Sequence, residues 1–99
     1  MTYLLTHFWP GATEEQYRTT IAAIHPDGGK RLPDGQLYHA AGETDGGVLI
    51  AAVWDSRDHA DAFMRDTLLP SMPIAGGVSG HPQERTAETM NVQRAEGQS

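Results

Sequence analysis

The sequence predicts one α+β domain, in which two helices pack on one face of an antiparallel sheet of four strands. Three observations carry this prediction: strand-like runs that end at turn residues, two amphipathic runs with helical spacing, and their order, β-α-β-β-α-β. A chain of 99 residues is long enough for one hydrophobic core and too short for two. We therefore expect a single domain over residues 1–93 and a flexible tail over residues 94–99.

The opening of the chain predicts a strand followed by a helix. Residues 3–9 are mostly aromatic and aliphatic, and the run ends at a Pro-Gly pair that turns the chain. Thr13 is a suitable N-cap, and Gln16 stands three residues later, where it completes a capping box. Apolar residues then recur at helical spacing, so we expect a helix over residues 14–24 and an exposed loop over residues 25–34, which is rich in Gly and Pro.

The middle of the chain predicts a hairpin whose sheet is apolar on both faces. Residues 36–43 and 48–54 are strand-like, and the Asp-Gly pair between them favours a tight turn because glycine accepts positive φ. Alternate positions of the second run form two apolar sets: Leu49, Ala51 and Val53 on one face, and Val48, Ile50, Ala52 and Trp54 on the other. Helices cover only one face, so we expect a second copy of the chain to cover the other in a homodimer.

The last third of the chain predicts a second helix and a final strand. Ser56 is a suitable cap for an apolar stripe that runs up to Pro70, where we expect the helix to stop. Residues 84–92 alternate loosely and predict the fourth strand. The complete order is that of ferredoxin-like domains.

Composition excludes several classes of partner and site. The chain has 13 acidic and 7 basic residues and a net charge of −6, and its basic residues are scattered, so we expect no nucleic-acid partner. It has no cysteine, which excludes disulfides, thiolate nucleophiles and sulfur-ligated metals. No basic leader and no run of apolar residues long enough to span a bilayer is present, so we expect a cytoplasmic protein without a membrane partner.

Several motifs resemble small actinobacterial proteins of the dimeric α+β barrel superfamily, which includes antibiotic biosynthesis monooxygenases and haem-degrading monooxygenases. The stretches that carry the resemblance are Pro10-Gly11, Thr13 to Tyr17, Leu37 to Gly42, Asp45-Gly46-Gly47, Val53 to Arg57 and Leu68-Leu69-Pro70. The resemblance covers about residues 2–93 and implies ferredoxin-like subunits whose sheets meet in a dimeric barrel. It also implies a functional tryptophan at the end of the third strand, at the position of Trp54.

Two histidines are the candidate catalytic residues. His39 shares the predicted strand face of Leu37 and Ala41, and an apolar setting of this kind moves the pKa of an imidazole across neutrality. It is therefore a candidate general base, although the pattern also fits a structural histidine with a backbone or water partner, which is the more usual role of a buried polar group. His7 faces the same cavity only if the parity of the first strand places it inward.

The candidate substrate-binding residues are Trp54, Phe63, Tyr17 and His59. Each aromatic residue fits a plain core role as well as a cavity wall, and His59 at the start of the second helix fits solvent as well as the cavity rim. The five histidines lack metal-ligand spacing, so we expect neither a metal site nor a cofactor.

These observations lead to one functional hypothesis with two alternatives. The first is a cofactor-independent monooxygenase that acts on an aromatic or polyketide-like small molecule, with His39 as the base and Trp54 holding the ring. The second is a barrel without catalytic activity that binds a small hydrophobic molecule or only assembles with itself. The third is a haem- or metal-binding protein.

Overall fold

The computed structural model describes residues 2–72, 75–93 and 95. The strands are β1 (Tyr3–Pro10), β2 (Gln36–Thr44), β3 (Gly47–Trp54) and β4 (Gln83–Glu88), and the helices that cover them are α1 (Glu14–Ile24), α2 (Arg57–Phe63) and α3 (Leu69–Ser71). The strands form one antiparallel sheet in the order β2-β3-β1-β4. The predicted ferredoxin-like α+β fold is confirmed. Of the predicted tail, residues 94 and 96–99 lie outside the described residues.

Helix α1 begins and ends where its local signals predict. The backbone N–H of Gln16 donates to the Thr13 hydroxyl at 3.2 Å, and the backbone N–H of Thr13 donates to the side-chain oxygen of Gln16 at 3.0 Å. These reciprocal bonds form the capping box. At the other end His25 is extended, as a residue before proline prefers, and its backbone N–H bonds the Ile21 carbonyl at 2.9 Å. The helix therefore delivers the His25 side chain to the sheet.

The hairpin between β2 and β3 depends on two glycines for different reasons. Gly46 has a φ of +84°, the left-handed conformation that a tight turn requires. Gly47 pairs with Pro10, and a Cβ at this position would lie 2.1 Å from the Trp9 carbonyl oxygen. The backbone of β1 can approach β3 this closely only because Gly47 has no side chain.

The second helical run differs from the predicted single helix. After α2 the chain forms a π-helical segment (Met64–Leu68), and α3 then continues through Pro70. The prediction that Pro70 stops the helix was wrong by one residue. The π-helical segment is closed by a hydrogen bond from the Leu69 N–H to the Met64 carbonyl. Pro70 therefore lies in the first turn of α3, where a helix does not need the N–H that proline lacks.

Strand β4 is shorter than predicted because its partner strand ends. The last pair of the β1–β4 ladder joins Tyr3 to Glu88, and one further bond runs from the Thr89 N–H to the Thr2 carbonyl. The ladder ends at Tyr3, the first residue of β1, so the predicted strand over residues 84–92 is observed only over Gln83–Glu88.

The two faces of the sheet are both apolar but differ in burial. On the inner face, toward the helices, Trp9, Val48 and Trp54 are at most 4% exposed. On the outer face, Leu4 is 37% and Leu49 48% exposed. No helix among the described residues has the length and apolar character needed to cross a membrane.

Candidate functional site

A cavity lies between the inner face of the sheet and the helices, and its volume is about 50 Å³. This volume accommodates a few water molecules and is smaller than the roughly 150 Å³ of an engineered cavity that binds benzene. The lining side chains are mainly apolar and aromatic, and the ones with polar atoms are His7, Trp9, Tyr17, Thr20, His25, Gln36, His39 and Trp54. The chemistry of the cavity is therefore set by a small number of polar groups.

Tyr17 and His39 form a hydrogen-bonded pair across the cavity. Tyr17 extends from α1 and His39 from β2, and the Tyr17 hydroxyl lies 2.6 Å from Nε2 of His39. Their rings are also stacked, with centroids 6.0 Å apart and planes 20° from parallel. The pair is fixed by the helix and the strand together, so the imidazole is held in one orientation.

The second ring nitrogen of His39 is free for chemistry. Its Nδ1 is shielded from water and has no hydrogen-bond partner. Burial lowers the pKa of His39, because the apolar surroundings disfavour the imidazolium form. Burial also raises the pKa of Tyr17, although the positive charge of Arg18 opposes this shift. Both groups are consequently neutral near pH 7, and His39 is available as a base.

His25 is a site residue that sequence reasoning missed. Its ring lies edge-on to His39, with centroids 4.8 Å apart, and edge-on to Phe63 at 5.8 Å. Burial and the neighbouring His39 lower the pKa of His25 to about 4, so it is neutral as well. The sequence placed His25 in an exposed loop, and the signal it offered was its position directly after the apolar end of α1 and before Pro26.

A β-bulge changes which residues of β2 face the cavity. Gln36 pairs with Trp54 and Tyr38 with Val53, so Leu37 is an extra residue in β2. The predicted shared face of Leu37 and His39 was therefore wrong: Leu37 is 38% exposed, and Gln36 lines the cavity instead. The alternation of apolar and polar residues in β2 does not indicate a one-residue shift of this kind, so the sequence pattern could not predict it.

His7 faces the cavity from β1 and is oriented by a carboxylate. It is 4% exposed, and its Nε2 lies 2.7 Å from Oε2 of Glu84 on β4. When the imidazole is neutral, a carboxylate at this distance accepts the Nε2–H, and the lone pair is then on Nδ1. The Glu84 side chain is 46% exposed, which connects the buried imidazole to solvent.

Trp54 and Phe63 form the aromatic wall of the cavity. Their ring centroids are 5.4 Å apart, and Trp54 is 2% exposed. The indole Nε1 of Trp54 has no hydrogen-bond partner, and neither has the side-chain oxygen of Gln36, which is 8% exposed as a residue. Buried polar groups without partners are rare in folded proteins.

The structure brings five of the six predicted site residues together, namely His39, His7, Trp54, Phe63 and Tyr17. His59 does not line the cavity. Its side chain is 51% exposed, and its Nδ1 lies 2.6 Å from Oδ1 of Asp55. This hydrogen bond raises the pKa of His59. Among the described residues, no group of three or more His, Asp or Glu side chains is arranged to hold a metal ion.

The chain is similar in structure to antibiotic biosynthesis monooxygenase-like proteins of the dimeric α+β barrel superfamily, as its sequence motifs predict. A protein from Chloroflexus aurantiacus J-10-fl, provisionally assigned as an antibiotic biosynthesis monooxygenase, is 18% identical, with a TM-score of 0.63 over 95% of this chain and 98% of its own. Rv0793 from Mycobacterium tuberculosis is 13% identical, with a TM-score of 0.62 over 94% and 98%.

A third structure with this fold is SnoaB from Streptomyces nogalater, a cofactor-independent oxygenase. It is 12% identical, with a TM-score of 0.55 over 98% of this chain and 97% of its own. No protein-family sequence model matches the chain, and no curated protein sequence matches it. At these identities the structural likeness establishes a common fold, and the activity must be argued from the site.

Proposed function

We propose that the protein is a cofactor-independent monooxygenase that acts on an aromatic or polyketide-like small molecule. One observation carries this proposal: the hydrogen-bonded pair of Tyr17 and His39 in a mainly apolar cavity, with the second ring nitrogen of His39 unpartnered. The shared fold of SnoaB, a cofactor-independent oxygenase, supports the same activity.

His39 acts as the general base in this proposal. In the tautomer that carries its proton on Nε2, His39 donates this N–H to the Tyr17 oxygen 2.6 Å away, and the lone pair on Nδ1 takes the proton of a phenol or enol. A neutral imidazole is required, and burial supplies one by lowering the pKa of His39. The imidazolium that forms is stabilised by the substrate anion beside it, since the two charges arise together in a site of low polarity.

The resulting anion is electron-rich and reacts with dioxygen. For a substrate with an acidic methylene the balance is R₂CH₂ + O₂ → R₂C=O + H₂O, so the substrate supplies all four electrons. The anion passes an electron to dioxygen, the carbon–oxygen bond forms, and loss of the remaining carbon-bound proton breaks the oxygen–oxygen bond. One oxygen atom stays as the carbonyl, and the other takes the proton held by His39 and one proton from solvent and leaves as water. Trp54, as part of the aromatic wall of the cavity, holds the ring in place during these steps.

His7 and Glu84 move the second proton. The lone pair on Nδ1 of His7 accepts the carbon-bound proton, and the half-exposed Glu84 exchanges a proton with solvent through Nε2. Two bases on different strands, β2 and β1, thus serve the two deprotonations that the balance requires.

Substrate access requires the cavity to widen. Its volume of about 50 Å³ does not hold an aromatic ring, and the half-buried Phe63 and Met64 lie where the helical run covers it. The π-helical segment begins at Met64, and π-helical turns are frequent at functional sites. We expect these two side chains to move aside when a substrate enters.

Oxygen uptake with a panel of hydroquinones and anthrones tests the activity. We expect turnover by the wild type, a fall of about 10²-fold or more in His39→Ala, and a smaller fall in Tyr17→Phe, which keeps the ring but removes the partner of Nε2. His81→Ala is the matched control, because His81 is exposed and outside the cavity. Unchanged turnover in His39→Ala would refute the role of His39.

The second candidate function is binding of a small hydrophobic molecule without turnover, and the mainly apolar lining of the cavity favours it. Ligand binding without oxygen uptake from any compound of the panel would support this function over the first. The haem or metal hypothesis has its own test: a Soret band in the purified protein, or bound metal by elemental analysis, would support it.

We also propose that two copies of the chain pair through their outer sheet faces. Leu4 and Leu49 are exposed there beside Ala51 and Val53, which leaves an apolar strip across β1 and β3. We expect light scattering to show a dimer for the wild type and a monomer for Leu49→Glu. Leu69→Glu is the matched control, since Leu69 is 64% exposed on the helical side. A monomeric wild type would contradict the proposal.

A further inference from the structure

We infer that Gln36 and Trp54 form a hydroxyl-binding subsite at the end of the cavity opposite the Tyr17–His39 pair, so that the site selects aromatic molecules with hydroxyl groups on opposite sides of the ring. This inference deepens the proposed function and rests on it for the role of His39. It assigns Gln36, which no sequence pattern singled out, as a specificity-determining residue.

Three polar atoms of cavity-lining residues are buried without a partner among the described residues: Oε1 of Gln36, Nε1 of Trp54 and Nδ1 of His39. A buried polar atom of this kind destabilises the folded chain unless something satisfies it. That all three belong to residues of one cavity is expected if a ligand provides the missing partners.

The first two atoms are complementary to one hydroxyl group. The indole N–H of Trp54 only donates, and the side-chain oxygen of Gln36 only accepts. Gln36 and Trp54 are direct cross-strand partners, so their Cβ atoms are about 5 Å apart on the same face. A ligand hydroxyl between them accepts from Trp54 and donates to Gln36, which no carbonyl or ether oxygen does.

The spacing along the sheet defines where the second hydroxyl of the ligand lies. Gln36 pairs with Trp54, and His39 pairs with Ala52, two residues earlier on β3. Two residues of an extended strand span about 7 Å. A ring with para hydroxyls places its oxygens on opposite sides and reaches both positions, whereas a ring with ortho hydroxyls has both oxygens on one side and reaches only one.

Anaerobic binding of three one-ring phenols tests the subsite without any turnover. We expect the wild type to bind hydroquinone about tenfold more tightly than 4-methoxyphenol, a difference of about 1.4 kcal/mol, because the methoxy group cannot donate to Gln36. Catechol should bind as weakly as 4-methoxyphenol. Equal affinities for the three compounds, or no binding of hydroquinone at millimolar concentration, would overturn the inference.

Two variants separate the hydrogen bond from the size of the methoxy group. In Gln36→Met, which keeps the side-chain length, the preference for hydroquinone should disappear, and a preference that persists would be steric and would refute the subsite. In Trp54→Phe both para compounds should bind more weakly while their ratio is kept. If a variant does not fold, the comparison of hydroquinone with catechol on the wild type still decides, because these two isomers have the same size.

The outcomes distinguish this inference from the proposed function. If the tenfold preference and its loss in Gln36→Met are observed but oxygen uptake is absent, the subsite stands and the monooxygenase proposal fails. If oxygen uptake depends on His39 but the preference for hydroquinone is absent, the monooxygenase proposal stands and the subsite fails. A crystal structure in which a water molecule stays on both Gln36 and Trp54 with hydroquinone bound would also refute the subsite.

Discussion

Mild acid should destabilise the protein through His25, in a pH range where most carboxylates keep their charge. Burial first, and His39 second, lower the pKa of His25 from 6.5 to about 4 in the folded chain. Between pH 7 and pH 5 the unfolded chain therefore binds a proton that the folded chain does not, and the free energy of unfolding falls. The difference integrates to about 2 kcal/mol over this interval, and screening reduces it little because His25 is only 6% exposed.

Urea unfolding of the wild type and of His25→Gln at pH 7 and pH 5 measures this contribution. The fall in the free energy of unfolding should be about 2 kcal/mol smaller in the variant. In both proteins the lowered pKa of His39 adds to the fall in the free energy of unfolding, and the pKa of His59, which Asp55 raises, opposes it. These contributions cancel when the wild type is compared with the variant. Equal falls in the two proteins, or an imidazole of His25 that titrates near 6.5 by NMR, would show that His25 is not buried in the cavity beside His39.

Two further predictions concern stability. Gly47→Ala should lower the free energy of unfolding by about 3 kcal/mol or more, because the new Cβ would meet the Trp9 carbonyl. Gly42→Ala on β2 is the control and should be nearly neutral, because its Cβ would meet no atom within 4 Å. If chemical denaturation shows similar losses of stability in both variants, the close approach of β1 to Gly47 is contradicted. Thr13→Ala should cost about 1 kcal/mol by removing the capping box of α1, and Thr13→Ser should restore most of it; a neutral Thr13→Ala would show that the cap does not stabilise the helix.

Local signals in the sequence were sufficient for the elements and their order. The cap at Thr13 and the extended residue before Pro26 determine both ends of α1 from contacts within a few residues. The turn glycine Gly46 does the same for the hairpin. Such signals involve neighbours in the chain, and for this reason the predicted bounds of α1 agree with the structure.

The site was only partly predictable because it depends on contacts between distant residues. His25 and His39 are fourteen positions apart in the sequence and meet only when α1 packs on the sheet. The extra residue Leu37 shifts the register of β2, and this shift places Gln36 opposite Trp54. Neither feature has a periodic signal in the sequence. The contact of His25 with His39 depends on tertiary packing, and the bulge at Leu37 interrupts the alternation of the strand.

The unpartnered atoms of the cavity imply a conflict between stability and binding that one substitution can expose. Replacing a buried polar group that lacks a partner by an apolar group of similar shape removes its desolvation penalty. Gln36→Met should therefore raise the free energy of unfolding by about 1 kcal/mol in the absence of ligand, while it abolishes the selectivity for hydroquinone. Chemical denaturation with and without hydroquinone measures both effects. A Gln36→Met protein that is less stable than the wild type would mean that Gln36 holds the fold together, and the buried oxygen would then need no ligand to account for it.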